Sequence, residues 1–325
     1  MNADPISDID ASSWDGSDTP DAHLDDSSIA SPIQPIQPRS HRPGQGSAST
    51  LRRDLNLRAL HFAATHRLLH DTTRGGSPSV VFGPEDTPAG PRHGNFFTPS
   101  YCAILANPAW SARLAKAHTA RRRAWPRCDW RWCELDAASS SDALLMNIFC
   151  YPGVLDDPKD PRLRALLGVS AQAQPEFGYH PRIPLTNGRF DRTEIDLRLG
   201  TLLVEAKLTE SSLQQARPAL LERYRDLPLA FDPESLFAHP KVPGYQLIRG
   251  VLAALAEPST PAASFCVLAD QRRPDLLEEW YAVLRTVLPG HLRCRLQMLT
   301  WQEIAAVLPT PLQNFLAEKY GILPV

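Results

Sequence analysis

Residues 193–208 read Thr193-Glu-Ile-Asp-Leu-Arg-Leu-Gly-Thr-Leu-Leu-Val-Glu-Ala-Lys-Leu208. Two runs of alternating apolar and polar residues flank Gly200-Thr201, the pattern of a β-hairpin. A glycine at the first central position suits a two-residue loop of type II′. With Gly200 and Thr201 as that loop, Leu199 faces Leu202. The register then sets Asp196 opposite Glu205 and Glu194 opposite Lys207. Strand alternation places Glu194, Asp196, Glu205 and Lys207 on one face, and Ile195, Leu197, Val204 and Ala206 on the other, toward a core.

That pairing needs a cause, because like charges directly opposed in a sheet repel one another across about 5 Å. A hard cation between Asp196 and Glu205 supplies one. Mg²⁺ characteristically takes one or two carboxylates together with waters and phosphate oxygens. Lys207, two residues beyond Glu205 on the same face, can then orient or help deprotonate a metal-bound water, or stabilise charge at an attacked phosphorus. The predicted chemistry is metal-dependent phosphodiester hydrolysis, with Mg²⁺ as cofactor and Mn²⁺ as its substitute. The Glu-x-Lys tripeptide alone carries little weight: 13 Glu and 5 Lys in 325 residues give about 0.2 such tripeptides by chance. The turn, the opposed Asp196 and the apolar back face carry the specificity. The competing structural reading is an exposed hairpin whose Glu194–Lys207 salt bridge is worth under ~1 kcal/mol.

Outward from the hairpin, the pattern predicts an α/β domain over 136–325. Ser139 to Cys150 reads as a helix capped by the preceding serines. A short helix follows near 161–167, then an extended segment over 177–185. Strands are expected at 193–199, 201–208, 265–268 and 293–300, and helices at 213–225, 244–257 and 275–288. Residues 51–135 form a basic extension with helices over 51–70 and 101–122 and a loop over 77–100. This extension holds 13 Lys or Arg against 6 Asp or Glu, densest at Arg121-Arg122-Arg123 and around Trp130-Arg131. Clustered Arg neutralises phosphates and interleaved Trp stacks on unpaired bases, so Arg121, Arg122, Arg123, Trp130 and Arg131 are candidate nucleic-acid contacts. A solvated basic face with core tryptophans explains the same residues.

Residues 1–50 read as a disordered acidic and Pro-rich arm. Eight Asp and no Lys or Arg fall within residues 1–38, so the chain's net charge of -2 hides a body of +6. No apolar run approaches the length of a membrane span. Six scattered cysteines exclude a disulfide scaffold. The expectation is a soluble cytoplasmic protein without membrane contact.

Asp196, followed on the next strand by Glu205-Ala206-Lys207, resembles the PD-(D/E)XK superfamily, the restriction-endonuclease-like fold. The expected order of helix, three-strand meander, helix, strand is that superfamily's common core, and uncharacterised bacterial restriction endonucleases are the nearest in character. Ile195 stands where the superfamily often has Pro. The resemblance implies a Mg²⁺-dependent deoxyribonuclease, with Asp196 and Glu205 as metal ligands and Lys207 as the catalytic lysine. It also implies an acidic residue near the first helix or strand: Glu176 is the first candidate, Glu194 or Asp142 the alternative. Glu194 can instead serve to hold Lys207. Relatives carry a Gln on the following helix, and Gln246 takes that role here, with Arg249 or Tyr245 assisting. An ordinary amphipathic helix with a polar rim accounts for the same residues.

Cys128, Cys133 and His118 make at most a fragment of a zinc site. No nucleophile elbow, phosphate-binding Gly-rich loop or dinucleotide fingerprint is present. The expected function is endonucleolytic cleavage of DNA, with RNA as a further substrate class and a homodimer as a possible assembly. The competing class is a catalytically silent nucleic-acid-binding protein on the same fold.

Overall fold

Alternation about Gly200 is the origin of the central sheet, and the computed structural model of the protein carries it out. The model describes residues 45–74, 78–117, 132–210, 212–259 and 261–325. Five strands make up the sheet: β1 (Pro175–Tyr179), β2 (Ile195–Leu199), β3 (Leu202–Ala206), β4 (Ser264–Ala269) and β5 (Leu296–Thr300). They lie side by side as β5-β4-β3-β2-β1. The first three form an antiparallel meander, and β4 and β5 add on parallel to β3. Gly200 takes φ 58°, as a tight turn of this kind requires. Leu199 pairs with Leu202, Arg198 with Leu203 and Leu197 with Val204, the expected register.

The helices used below are α1 (Gln45–His66), α2 (Thr98–Ala106), α3 (Pro108–Arg113), α4 (Ser141–Phe149), α5 (Tyr245–Ala256), α6 (Pro274–Leu284), α7 (Trp301–Ala306) and α8 (Thr310–Tyr320). The protein is a mixed α/β fold, with α4 ahead of the meander and α5 between the meander and β4. The sheet is covered on both faces. Leu197, Leu199, Leu202, Val204, Ala206, Cys266 and Leu268 pack with α1, α4, α7 and α8. Leu203, Phe265 and Val267 pack with α5 and α6. Strands buried on both sides read as near-continuous apolar runs, which is what β3 and β4 show.

Several expectations are corrected. Ile195 leaves the face of Leu197 and joins the α5 side, as does its partner Tyr179. Gly178 beside them has φ 69° and breaks the alternation there. In α1 the buried residues are Ala48, Leu51, Leu55, Ala59, Phe62 and Ala63, one helical face, whereas Leu60 and Ala64 point outward. That helix begins at Gln45, inside the stretch read as disordered; residues 1–44 lie outside the described residues. The 77–100 loop contains a short hairpin, Pro84–Thr87 with Gly90–His93, a strand Val80–Phe82 that pairs back to His70–Thr72, and the start of α2. Instead of a helix over 213–225, only Pro218–Leu221 is helical. Gln214 is left-handed at φ 63°, and the carbonyls of Leu213 and Gln214 accept from Gln246 and Tyr245 at the start of α5. Among the described residues, no helix is long and apolar enough to cross a membrane.

Candidate active site

The site forms where the meander parts. The β2–β3 ladder closes at Leu197–Val204, and the next N–H along β3, that of Ala206, donates to the Asp196 carboxylate at 2.8 Å. The β3–β4 ladder runs on, with the Lys207 N–H donating to Leu268 O at 2.7 Å. One strand therefore peels away while the other stays in the sheet, and the acidic side chains lie at the fork.

Glu205 and Lys207 are 6% and 5% exposed, and Lys207 Nζ lies 2.9 Å from Glu205 Oε1. Burial alone would lower the Lys207 ammonium, but the carboxylates of Glu205, Glu210 and Asp196 more than offset it, and the net shift is upward. Asp196 moves the other way for an acid: burial, then Glu205 and Asp142, push its carboxyl well above the ordinary value against the opposing pull of Lys207. The backbone around Lys207 is pinned from several elements. Trp301 of α7 donates its indole N–H to Lys207 O at 2.9 Å. Arg273 donates to Leu208 O and Arg52 of α1 to Thr209 O. Glu210 accepts from Leu208 N–H and from the Ser141 hydroxyl of α4.

A second group of charges adjoins this one. Asp142, buried in the first turn of α4, accepts from Lys116 at 2.7 Å and from Arg113 at 3.1 Å. Glu194 accepts from both Arg113 guanidinium nitrogens, at 2.9 and 2.5 Å, and from Lys116 at 3.0 Å. Burial acts to raise the Glu194 carboxyl, but Arg113 and Lys116 override it and hold it at about 2. Burial raises the Glu134 carboxyl, with Lys116 at 3.5 Å opposing. The guanidinium of Arg113 rests where a side chain at Gly178 would stand; a Cβ there would collide with it.

The structure thus brings Asp196, Glu205 and Lys207 together, with Asp142 in electrostatic reach of Asp196. It does not pair Glu194 with Lys207: Glu194 belongs to Arg113 and Lys116, and Lys207 to Glu205. Glu176 is exposed and bound to Arg198, across β2 in the next row of the same face. Gln246 is half-buried in the first turn of α5, and among the described residues no hydrogen bond links its side chain to the three central residues. Arg249 is buried against Asp191 at 3.2 Å, in a cluster with Tyr224 and Tyr245. Arg121, Arg122, Arg123, Trp130 and Arg131 lie outside the described residues, as do His118 and Cys128. Among the described residues no three His, Cys, Asp or Glu side chains are grouped as a metal cage; the carboxylates form a pair. Sequence reasoning missed Arg113 and Lys116 as site residues, and their helical i, i+3 spacing was the one local signal available.

The family described as Restriction Endonuclease associating with ARP matches residues 58–321. The chain belongs to that restriction-endonuclease family. The matched span begins within α1 and ends just after α8, so it takes in the extension that supplies Arg113 and Lys116 as well as the sheet. Membership points to nuclease activity and to DNA as the substrate class. Neither the curated proteins nor the solved structures gave a match.

Proposed function

We propose that the protein is a Mg²⁺-dependent deoxyribonuclease, an endonuclease with a PD-(D/E)XK core, whose site is Asp196, Glu205 and Lys207. The observation that carries this reading is the fork between β2 and β3, where two carboxylates and a buried lysine converge on the end of a parting ladder. The order of α4, the β1–β3 meander, α5 and β4 supports it, and so does family membership.

The donor set fits a hard divalent ion. Two carboxylates meet the need of Mg²⁺, which leaves most of its coordination to water and phosphate oxygens. Asp196 makes no ion pair among the described residues, and burial, then the charges of Glu205 and Asp142, hold its carboxyl well above the ordinary value; a cation would relieve that repulsion. Asp196 and Glu205 would hold the ion, which supplies Lewis-acid charge at the scissile phosphate. Lys207 stays protonated beside Glu205 and presents a fixed positive charge to the phosphate as negative charge builds on it. Its backbone, anchored by Trp301 and Leu268, keeps that charge in place without reorganisation.

Labelled DNA and RNA duplexes and single strands, incubated with the protein in Mg²⁺, Mn²⁺ or EDTA, test the proposal. Metal-dependent cleavage of DNA, lost in Asp196→Asn with DNA binding retained, is the expected result. Binding without cleavage under every condition would make the protein a nucleic-acid binder, and cleavage of RNA alone would reassign the substrate.

A further inference from the structure

Arg113 and Lys116 enter the acidic site from outside the sheet. α3 ends at Arg113 and Lys116 follows one turn on, whereas the carboxylates they meet come from α4 and from the residue preceding β2. Asp142 receives both cations on a single oxygen, Oδ2. Glu194 receives Arg113 through a two-pronged contact plus Lys116. Such forked carboxylate contacts fix orientation as well as charge. The seat is shaped for the guanidinium, since Gly178 leaves open the volume that Arg113 occupies. Lys207 answers Glu205 on the other side, and Asp196 accepts from the Ala206 N–H and makes no ion pair among the described residues.

We propose that Arg113 and Lys116 are positioning residues that act as a protein-borne cation in place of a second metal ion, restricting the site to one divalent ion at Asp196 and Glu205. This rests on the metal-dependent reading above and extends it. Two-metal sites need further carboxylates placed to bridge or ligate a second ion. Asp142, through Oδ2, and Glu194, through both oxygens, are carboxylates of that kind already engaged by guanidinium and ammonium donors. The ion count is thereby set by the α3 segment, in a part of the chain that the sheet motif does not contain.

The test is Mn²⁺ binding, followed by electron paramagnetic resonance of the free ion and by calorimetry, on the full chain without nucleic acid. Wild-type protein should bind one Mn²⁺, and Asp196→Asn should lose it. Lys116→Met should bind Mn²⁺ about tenfold more tightly, because an added carboxylate raises affinity for a hard cation. Arg113→Met/Lys116→Met should take up a second Mn²⁺, and Lys116→Arg should behave as wild type. A merely structural role for the pair would leave affinity unchanged or lower it. If a variant unfolds without metal, circular dichroism should show refolding on adding Mn²⁺; failure to refold contradicts the proposal. Wild-type binding of one Mn²⁺ with no gain in Lys116→Met or the double variant would overturn the inference alone. No Mn²⁺ bound by wild type beyond Asp196→Asn would overturn the inference and the metal reading together.

Discussion

Two lysines in this molecule are almost fully buried, and they are held in opposite ways. Lys207 sits against Glu205, and the surrounding carboxylates drive its proton affinity above the ordinary value despite burial. Lys319, near the end of α8, has no carboxylate partner among the described residues. Its ammonium donates to Asn95, through the main-chain oxygen and Oδ1, and to the Tyr320 hydroxyl, and lies over the rings of Phe82, Phe315 and Tyr320. Burial lowers its proton affinity well below the ordinary value. Burial alone therefore does not decide a lysine's charge; the carboxylates around it do. A lysine serving a phosphate must stay charged in a dry site, and that takes the acidic company that Lys207 has and Lys319 lacks.

The pH dependence of stability separates the two. Native Lys207 keeps its proton beyond the pH at which the unfolded chain loses it, so its contribution is present below about pH 10.4 and is lost as pH rises further. Native Lys319 sheds its proton earlier than the unfolded chain, so stability rises with pH up to about 10.4 on its account.

The largest expected effect of a break falls on the acidic side of the comparison. Arg113→Ala leaves Asp142 and Glu194 with Lys116 as their remaining cation and should cost about 3 kcal/mol in urea unfolding, in the range for removing one partner of a buried pair. Because Glu194 is held at about 2, its contribution is present above its ordinary value near pH 4.3 and is lost as pH falls through about 2. Arg113→Ala should flatten that acid limb; an unchanged limb would mean that Glu194 does not depend on Arg113. Next comes Lys319→Met, which replaces an unpaired buried ammonium by a chain of similar volume. It should stabilise the fold, because a buried ammonium without a counter-charge carries an uncompensated desolvation cost, and remove the rise of stability with pH. A destabilised Lys319→Met would show that the contacts to Asn95 and the rings outweigh desolvation. The smallest effect is at Glu176, exposed on Arg198: Glu176→Ala should change stability by less than ~1 kcal/mol. A larger loss would return Glu176 to the site group.

The hairpin was legible because period-two alternation leaves one register about Gly200, and a one-residue slip would turn the acidic set to the apolar face of Leu197, Leu199 and Val204. The partners of that set were not equally legible. Asp196 with Glu205 follows from register, but Glu194 lies beyond the last paired row, where the splaying strand is free to turn toward Arg113. Arg113 and Glu194 are 81 residues apart, and no local pattern encodes a contact across that distance. The expected helix at 213–225 fails on its own residues: Pro218 begins a new short helix that ends at Leu221, and Gln214 adopts a left-handed conformation that ends any helix passing through it. Arg249 and Tyr245 flank Gln246 on α5, and their partners Asp191 and Tyr224 come from outside that helix, contacts that no helical pattern encodes.

On the proposed function, Lys207 is the lysine that works on a phosphodiester. Its most direct test is nicking of supercoiled plasmid in Mg²⁺ and in EDTA by wild type, Lys207→Met and Lys319→Met. Metal-dependent nicking by wild type and Lys319→Met, with Lys207→Met slower by about 10²–10⁴-fold while still binding the plasmid, is the predicted result. Equal nicking by Lys207→Met and wild type, or nicking that survives EDTA, would contradict it.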